Sequence, residues 1–251
     1  MGKQNLENAY EVIIKSEKQQ KIINNPDIKI LSKRNQLYTY NQLITLINHE
    51  QPEIAVFDLD GTLTKTNIIS FYMYYLKNNG RKNISKWIKL FLNIPIYLFL
   101  DILNRDLFQS YFYRNYYNEN YQEIELIADK YTNSEISSLI VKDNINIMNL
   151  LKKSCNIVIL STNINPLVSA ISKMLNVDEY FSRTVEYNDL FQVRSISEKK
   201  GRYFKQQIIK ETLSSRKKKI IGFGDSKADI PFLKECSDGF IYNKRIYRKI
   251  K

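Results

Sequence analysis

Apolar residues along this chain fall into two patterns, helical spacing and short unbroken runs. Leu6, Ala9, Tyr10 and Ile13 follow helical spacing and predict a helix up to Ile23, stopped by the breaker Asn24-Asn25-Pro26-Asp27. Thr39 is placed to cap a second helix carrying Leu43, Ile44, Leu46 and Ile47. Pro52 then precedes Ile54-Ala55-Val56-Phe57, a continuous apolar run that reads as a buried strand. From Thr66 to Thr132 the spacing is mostly helical and rich in aromatics. Phe71, Tyr72, Tyr74 and Tyr75 come first, then Trp87, Leu90 and Phe91, then Tyr111, Phe112, Tyr116 and Tyr117. This predicts a small helical insertion whose aromatic stripes pack internally.

After Ser134 the pattern alternates. A helix carrying Ile136, Leu139, Ile140, Ile147 and Leu151 leads to a strand, Ile157-Val158-Ile159-Leu160. A helix over 166–175, a short strand over 181–187 and a helix over 201–213 follow. The strand Ile220-Ile221-Gly222-Phe223 comes next, and a last short strand is expected over 239–242. Such alternation predicts an α/β fold of three layers, a doubly wound parallel sheet with helices on both faces. The expected division is a helical extension over 1–51, a core over 52–65 and 133–251, and the helical insertion over 66–132.

Composition narrows the setting. With 251 residues and 43% hydrophobic content, the chain has enough apolar mass for one core and a smaller domain. Cys155 and Cys236 form no metal spacing and no disulfide framework, so a reduced, cytoplasmic setting is the default. The segment 1–25 is too polar for a secretory signal. The most apolar stretch, 90–100, falls short of the roughly 20 residues a spanning helix needs. It either packs inside the insertion or makes a shallow contact with the inner membrane surface. The net charge of +12 gathers in Arg216-Lys217-Lys218-Lys219 and in Lys244, Arg245, Arg248, Lys249 and Lys251. A field of that sign favours phosphorylated substrates, anionic lipid or nucleic acid, or else marks a solvated face. The chain carries no recognised nucleic-acid motif.

The chemistry concentrates at strand ends. Asp58-Leu59-Asp60-Gly61-Thr62 follows the first run, so two carboxylates leave one strand tip just before the chain turns. That arrangement suits a nucleophilic carboxylate, a second one that moves a proton, and a magnesium ion between them. Taken alone, such an Asp could equally be a turn or helix-cap residue. The second strand ends at Ser161-Thr162-Asn163, and the third at Gly224-Asp225-Ser226 with Asp229 one turn on. Ligands of a doubly wound sheet bind beyond these ends, so the groups converge. Asp58, Asp60, Asp225 and Asp229 together need a cation. All-oxygen ligands beside a phosphate point to Mg²⁺. A lysine is expected too, at Lys200 or the adjacent Lys199, where a helix opens. His49, the only histidine, lies before the core, so histidine catalysis is not expected.

Four motifs in order carry a resemblance. They are Phe57-Asp58-Leu59-Asp60-Gly61-Thr62, Val158-Ile159-Leu160-Ser161-Thr162, Lys200-Gly201, and Gly224-Asp225-Ser226 with Asp229 and Pro231. The set resembles the haloacid dehalogenase (HAD) superfamily, with its Rossmann-like core and an all-helical cap domain inserted after the first motif. It is most similar to the subfamily I phosphatases with a helical C1 cap, the branch of phosphoserine and phosphatidylglycerophosphate phosphatases. The resemblance implies a Mg²⁺-dependent phosphomonoester hydrolase working through an aspartyl-phosphate. It implies Asp58 as nucleophile and Asp60 as general acid/base, with the Asp60 carbonyl also on the metal. Ser161 would hydrogen-bond the transferring phosphoryl group and Lys200 would neutralise it. Asp225 would ligate Mg²⁺, and Asp229 would ligate it directly, act through water, or position the lysine. Gly61, Thr62, Thr162, Asn163 and Asn67 join as substrate-binding candidates. Phosphoserine phosphatases carry a glutamate where this chain has Asn67. The substrate class is therefore a small-molecule or lipid head-group phosphate. Alternatives are a phosphomutase or phosphotransferase on the same core, or a non-catalytic binder of anionic lipid or nucleic acid.

Overall fold

A computed structural model of the chain describes residues 36–79, 84–197, 201–216 and 218–250. The helix expected before Ile23 lies outside them. Leu37–Thr39 forms β1 and Tyr40–Glu50 forms α1. Thr39 caps α1 as its place in the sequence predicts. The Gln42 N–H donates to its hydroxyl, and its own N–H donates to the Gln42 side chain at 2.9 Å. The apolar run forms β2 (Ile54–Asp58), buried along its whole length.

The insertion follows as α2 (Ile68–Asn78), α3 (Ile84–Leu92), α4 (Ile94–Leu103), α5 (Arg105–Tyr113) and α6 (Tyr121–Tyr131). The chain then returns through α7 (Lys142–Leu151), β3 (Asn156–Ile164), α8 (Asn165–Leu175) and β4 (Glu179–Arg183). A hairpin, β5 (Val185–Tyr187) and β6 (Val193–Ile196), stands apart from the main sheet. Next come α9 (Gly201–Ile208), β7 (Ile220–Gly224), α10 (Ile230–Leu233), β8 (Asp238–Asn243) and β9 (Ile246–Lys249).

The main sheet has the order β1-β9-β8-β7-β2-β3-β4. Its strands from β8 to β4 are parallel, and β9 and β1 close one edge antiparallel. Alternation along the central strands builds the two outer layers. Ala55, Phe57, Ile157 and Ile159 face the cluster with Leu43 of α1, Ile147 of α7 and Leu167 of α8. Ile54, Val56, Val158 and Leu160 face the other cluster, with Phe232 and Leu233 of α10. Phe57 and Phe223 stack at 4.7 Å, tying the two central strands together.

Three expectations change. The helix expected through Ile140 is broken there. Ile140 bridges Thr64, the Lys65 N–H donates to the Leu139 carbonyl at 2.7 Å, and the Val141 N–H donates to the Leu63 carbonyl at 2.9 Å. Backbone pairing between the chain leaving the sheet and the chain returning to it displaces the helical hydrogen bonds. The strand expected over 181–187 divides at Thr184 between β4 and β5. Residues 37–51, expected in an appended segment, instead join the sheet as β1 and cover it as α1.

The aromatic stripes of the insertion pack internally, as expected. Tyr72 meets Phe112 at 5.6 Å and Tyr116 at 4.9 Å, and Phe71 and Tyr75 are buried beside it. The apolar run over 87–98 does not follow them inside: only Leu90 and Tyr97 of its large apolar side chains are buried. α3 turns Leu90 and, in part, Trp87 inward, α4 turns Tyr97 and, in part, Leu100, and no described layer covers the other side. The basic clusters are partly spent on ion pairs. Arg216 binds Glu179 through both guanidinium nitrogens, Lys219 pairs with Glu50, and Lys249 with Asp238.

Candidate active site

Asp58 closes β2, and the parallel registers decide what surrounds it. Asp58 lies opposite Leu160 of β3, and Phe57 opposite Phe223 of β7. Ser161-Thr162-Asn163 and Gly224-Asp225 therefore emerge on either side of the same strand end. From β2 the neighbouring strands lead to opposite edges of the sheet, which opens a crevice at this point. A cavity of about 510 Å³ lies there, with Asp58, Asp60, Thr162, Lys205, Asp225 and Asp229 on the core side. Tyr97, Leu98, Ile102, Arg105 and Gln109 line it from the insertion.

Among the described residues, the lysine at this site is Lys205. Lys199 and Lys200 lie outside the described residues. The Lys205 Nζ, on α9, donates to Asp58 Oδ1 at 2.6 Å and to Asp229 Oδ1 at 2.7 Å, and all three side chains are buried. Burial works against the ammonium, but the Asp229 and Asp58 carboxylates outweigh it and raise its pKa. The sequence held one signal for this. Lys205 lies beside Phe204 and one turn before Ile209, on the buried stripe of its helix, where an unpaired lysine has no place.

Asp229 is fully engaged. Its Oδ1 holds Lys205, while its Oδ2 accepts from the Ser226 hydroxyl at 3.0 Å, the Ser226 N–H at 3.2 Å and the Asp225 N–H at 3.3 Å. Burial pushes its carboxyl up, but Lys205 and Ser226 outweigh burial and lower it. Asp58 shows the opposite balance: burial pushes it well up against the pull of Lys205. Asp225 is pushed up to about 6 by burial and the neighbouring Asp229. Neither Asp60 nor Asp225 has a bonded cation among the described residues.

Asp60 is held by both oxygens. Thr66 Oγ1 donates to Oδ1 at 2.7 Å and Asn163 Nδ2 to Oδ2 at 3.3 Å, while Thr64 and Thr66 share a 2.6 Å hydrogen bond behind. Burial raises its pKa although both hydrogen bonds oppose this. A carboxyl that keeps its proton more firmly than usual suits delivery of that proton to a leaving group. Thr66 is a site residue that sequence reasoning missed.

The remaining candidates divide. Gly61 turns at φ 85°, donates its N–H to the Thr64 carbonyl at 2.7 Å, and passes close to Asp225. Thr62 is buried, with its hydroxyl 3.5 Å from Asp58 Oδ2 and its carbonyl accepting from Asn144. Ser161 is fully buried and its Oγ accepts the Asn163 N–H at 3.0 Å. Thr162 reaches the cavity wall, but its atoms are engaged across the cap boundary. Its hydroxyl accepts from Gln109, and its carbonyl from Tyr113 and from Arg183. Asn67 lines the cavity while its Oδ1 caps α2, accepting the Ile69 and Ser70 N–H groups.

Gly61 gives a direct test of this packing. A Cβ there would sit 2.3 Å from Asp225 Oδ2 on a left-handed backbone. Gly61→Ala is expected to lose about 1–3 kcal/mol of stability through backbone strain. A shift of Asp225 by about 1 Å is expected to cost about 10²-fold in turnover. Chemical denaturation and steady-state kinetics check the two effects separately.

Residues 55–234 match the family of haloacid dehalogenase-like hydrolases. No curated protein matches the sequence significantly. The fold is similar to that of a protein of unknown function from Bordetella pertussis Tohama I, at 13% identity and a TM-score of 0.61, covering 75% of this chain and 89% of that one. It is similar to a HAD family hydrolase from Salmonella enterica serovar Typhi, at 15% identity and 0.55, covering 78% and 68%. A phosphoserine phosphohydrolase-like protein from Francisella tularensis matches at 16% identity and 0.54, covering 77% and 88%. Family match, sheet topology and acidic crevice agree: the chain belongs to the haloacid dehalogenase-like hydrolases.

Proposed function

We propose that the protein is a Mg²⁺-dependent phosphomonoester hydrolase working through an aspartyl-phosphate on Asp58. The observation that carries this reading is the Lys205 ammonium shared by Asp58 and Asp229, with Asp60 held separately by Thr66 and Asn163. One carboxylate is thus oriented by a fixed cation, and a second is oriented as a proton carrier. Asp58 attacks phosphorus through one oxygen, and the bond from phosphorus to the ester oxygen breaks. Asp60 gives its proton to the departing alcohol, then takes one from the water that attacks the aspartyl-phosphate. That second step releases phosphate and restores Asp58. Lys205 holds Asp58 in line and offsets charge on the transferring group. Ser161 and Thr162 close the β3 side of the phosphate site.

The donor set fits a hard divalent cation. Carboxylate oxygens of Asp58, Asp225 and Asp229 lie within 4.8 Å of one another. Oxygen-only donors with net negative charge suit Mg²⁺. Asp58, Asp225 and the Asp60 carbonyl would hold the ion. Asp229, with both oxygens engaged, would serve mainly to position Lys205. The cation would supply charge stabilisation to the phosphoryl oxygens.

Hydrolysis of p-nitrophenyl phosphate with Mg²⁺ and with EDTA tests the reading. EDTA is expected to reduce turnover by about 10²-fold or more, since losing several kcal/mol of charge stabilisation costs that much, and excess Mg²⁺ to restore it. Absence of hydrolysis with every divalent ion tried would sink the reading.

A further inference from the structure

The outer face of α3 and α4 exposes a row of large apolar side chains. Ile84, Ile88 and Phe91 of α3 recur at i, i+4 and i+7, so they share one face, and all three are exposed, as is Leu92. On α4, Leu98, Phe99, Ile102 and Leu103 are exposed too, Ile102 at 84%. The α4 sequence, IPIYLFLDIL, is apolar except for Asp101, yet it buries only Tyr97. A helix this apolar belongs in a protein core or in lipid. No described part of this chain supplies the core.

Charge and shape say which surroundings fit. On α3, Lys89 is exposed while Lys86 pairs with Glu119; α4 carries Asp101 and no basic residue; the whole chain carries +12. An exposed lysine beside a stripe of Ile, Phe and Leu suits a helix lying in a lipid interface, and the chain's net positive charge draws it to anionic lipid. Among the described residues no helix is long and apolar enough to cross a membrane. At about 1.5 Å per residue, α3 and α4 each reach only about half-way through a hydrocarbon core, so they would lie within one leaflet. The face also runs into the catalytic cavity, because Leu98, Ile102 and Leu103 line its wall.

We infer that the α3–α4 segment docks on an anionic bilayer surface and sets the cavity mouth at the lipid–water interface. This goes beyond the catalytic reading and does not depend on it. Trp87, the single tryptophan, sits partly buried in α3, stacked on exposed Phe91 at 5.8 Å, so its emission follows what covers Phe91. The full chain is mixed with phosphatidylcholine vesicles, with or without phosphatidylglycerol, and floated. The expected result is co-flotation with the phosphatidylglycerol vesicles and a blue shift of Trp87 emission. Leu92→Glu and Phe99→Glu are each expected to lower the bound fraction about tenfold or more while retaining cooperative thermal unfolding. The inference is overturned if wild-type protein neither floats nor shifts with phosphatidylglycerol present. It is equally overturned if both folded variants bind as well as wild type. Sedimentation showing wild-type dimers and monomeric variants would assign the face to a second copy of the chain instead.

Discussion

Asp58→Asn is expected to abolish phosphomonoesterase turnover, by about 10⁴-fold or more, while leaving the fold as stable as wild type. The size follows from the role: an amide cannot form the acyl-phosphate, and removing a covalent nucleophile forfeits the two-step route altogether. The stability follows from the packing. Asp58 is one of four carboxylates on the core side of the cavity, and burial already pushes its carboxyl well up. Asparagine keeps the shape and removes a charge that burial disfavours. Lys205 still has Asp229 at 2.7 Å, so no buried cation is stranded. Hydrolysis of p-nitrophenyl phosphate and urea denaturation in EDTA measure the two halves. Turnover within tenfold of wild type would remove Asp58 from the nucleophile's place. An unfolded variant would contradict the electrostatic account of the site.

The strand ends were legible because burial leaves little choice. An unbroken apolar run that ends in two acids has no packing reason for them, so Asp58 and Asp60 stood out. What stayed hidden depended on distance in sequence or on unusual local chemistry. Lys205 comes four residues after Gly201, and Lys199 and Lys200 offered a simpler match at the helix opening. Strand β9 is not evident in the sequence because the turn before it carries none of the usual residues. Lys244 and Arg245 both take positive φ, 47° and 71°, where Asn-Gly is the common choice. Asn67 lines the cavity, and it also immediately precedes Ile68, the first residue of α2, where its side chain caps that helix. The outer face of α3 and α4 shows a different limit. Periodicity reveals which residues share a face, but not whether anything covers it.

Lys205→Met is expected to abolish turnover as well, but with the opposite effect on stability. The ammonium holds Asp58 and Asp229 together, 2.6 Å and 2.7 Å away. Without it two buried carboxylates face each other with no cation between them. Breaking a buried pair by removing one partner typically costs about 3–5 kcal/mol, and the same loss is expected here in EDTA at pH 7. The pH is chosen from the direction of each shift. The Lys205 pKa is raised, so its stabilisation is present below the ordinary lysine value of 10.5 and fades at higher pH. The Asp229 pKa is lowered, so its share is present above the ordinary value of 3.8 and is lost on acidification. Neutral pH lies inside both windows. Turnover is expected to fall by about 10³-fold, the loss typical when a fixed charge at a phosphoryl site is removed. Lys205→Arg separates charge from fit. It keeps the cation and should recover much of the stability. A planar guanidinium cannot occupy the compact position between two carboxylates, so activity should stay low. Equal stability of Lys205→Met and wild type in EDTA would show that the buried ion pairs do not hold the site together.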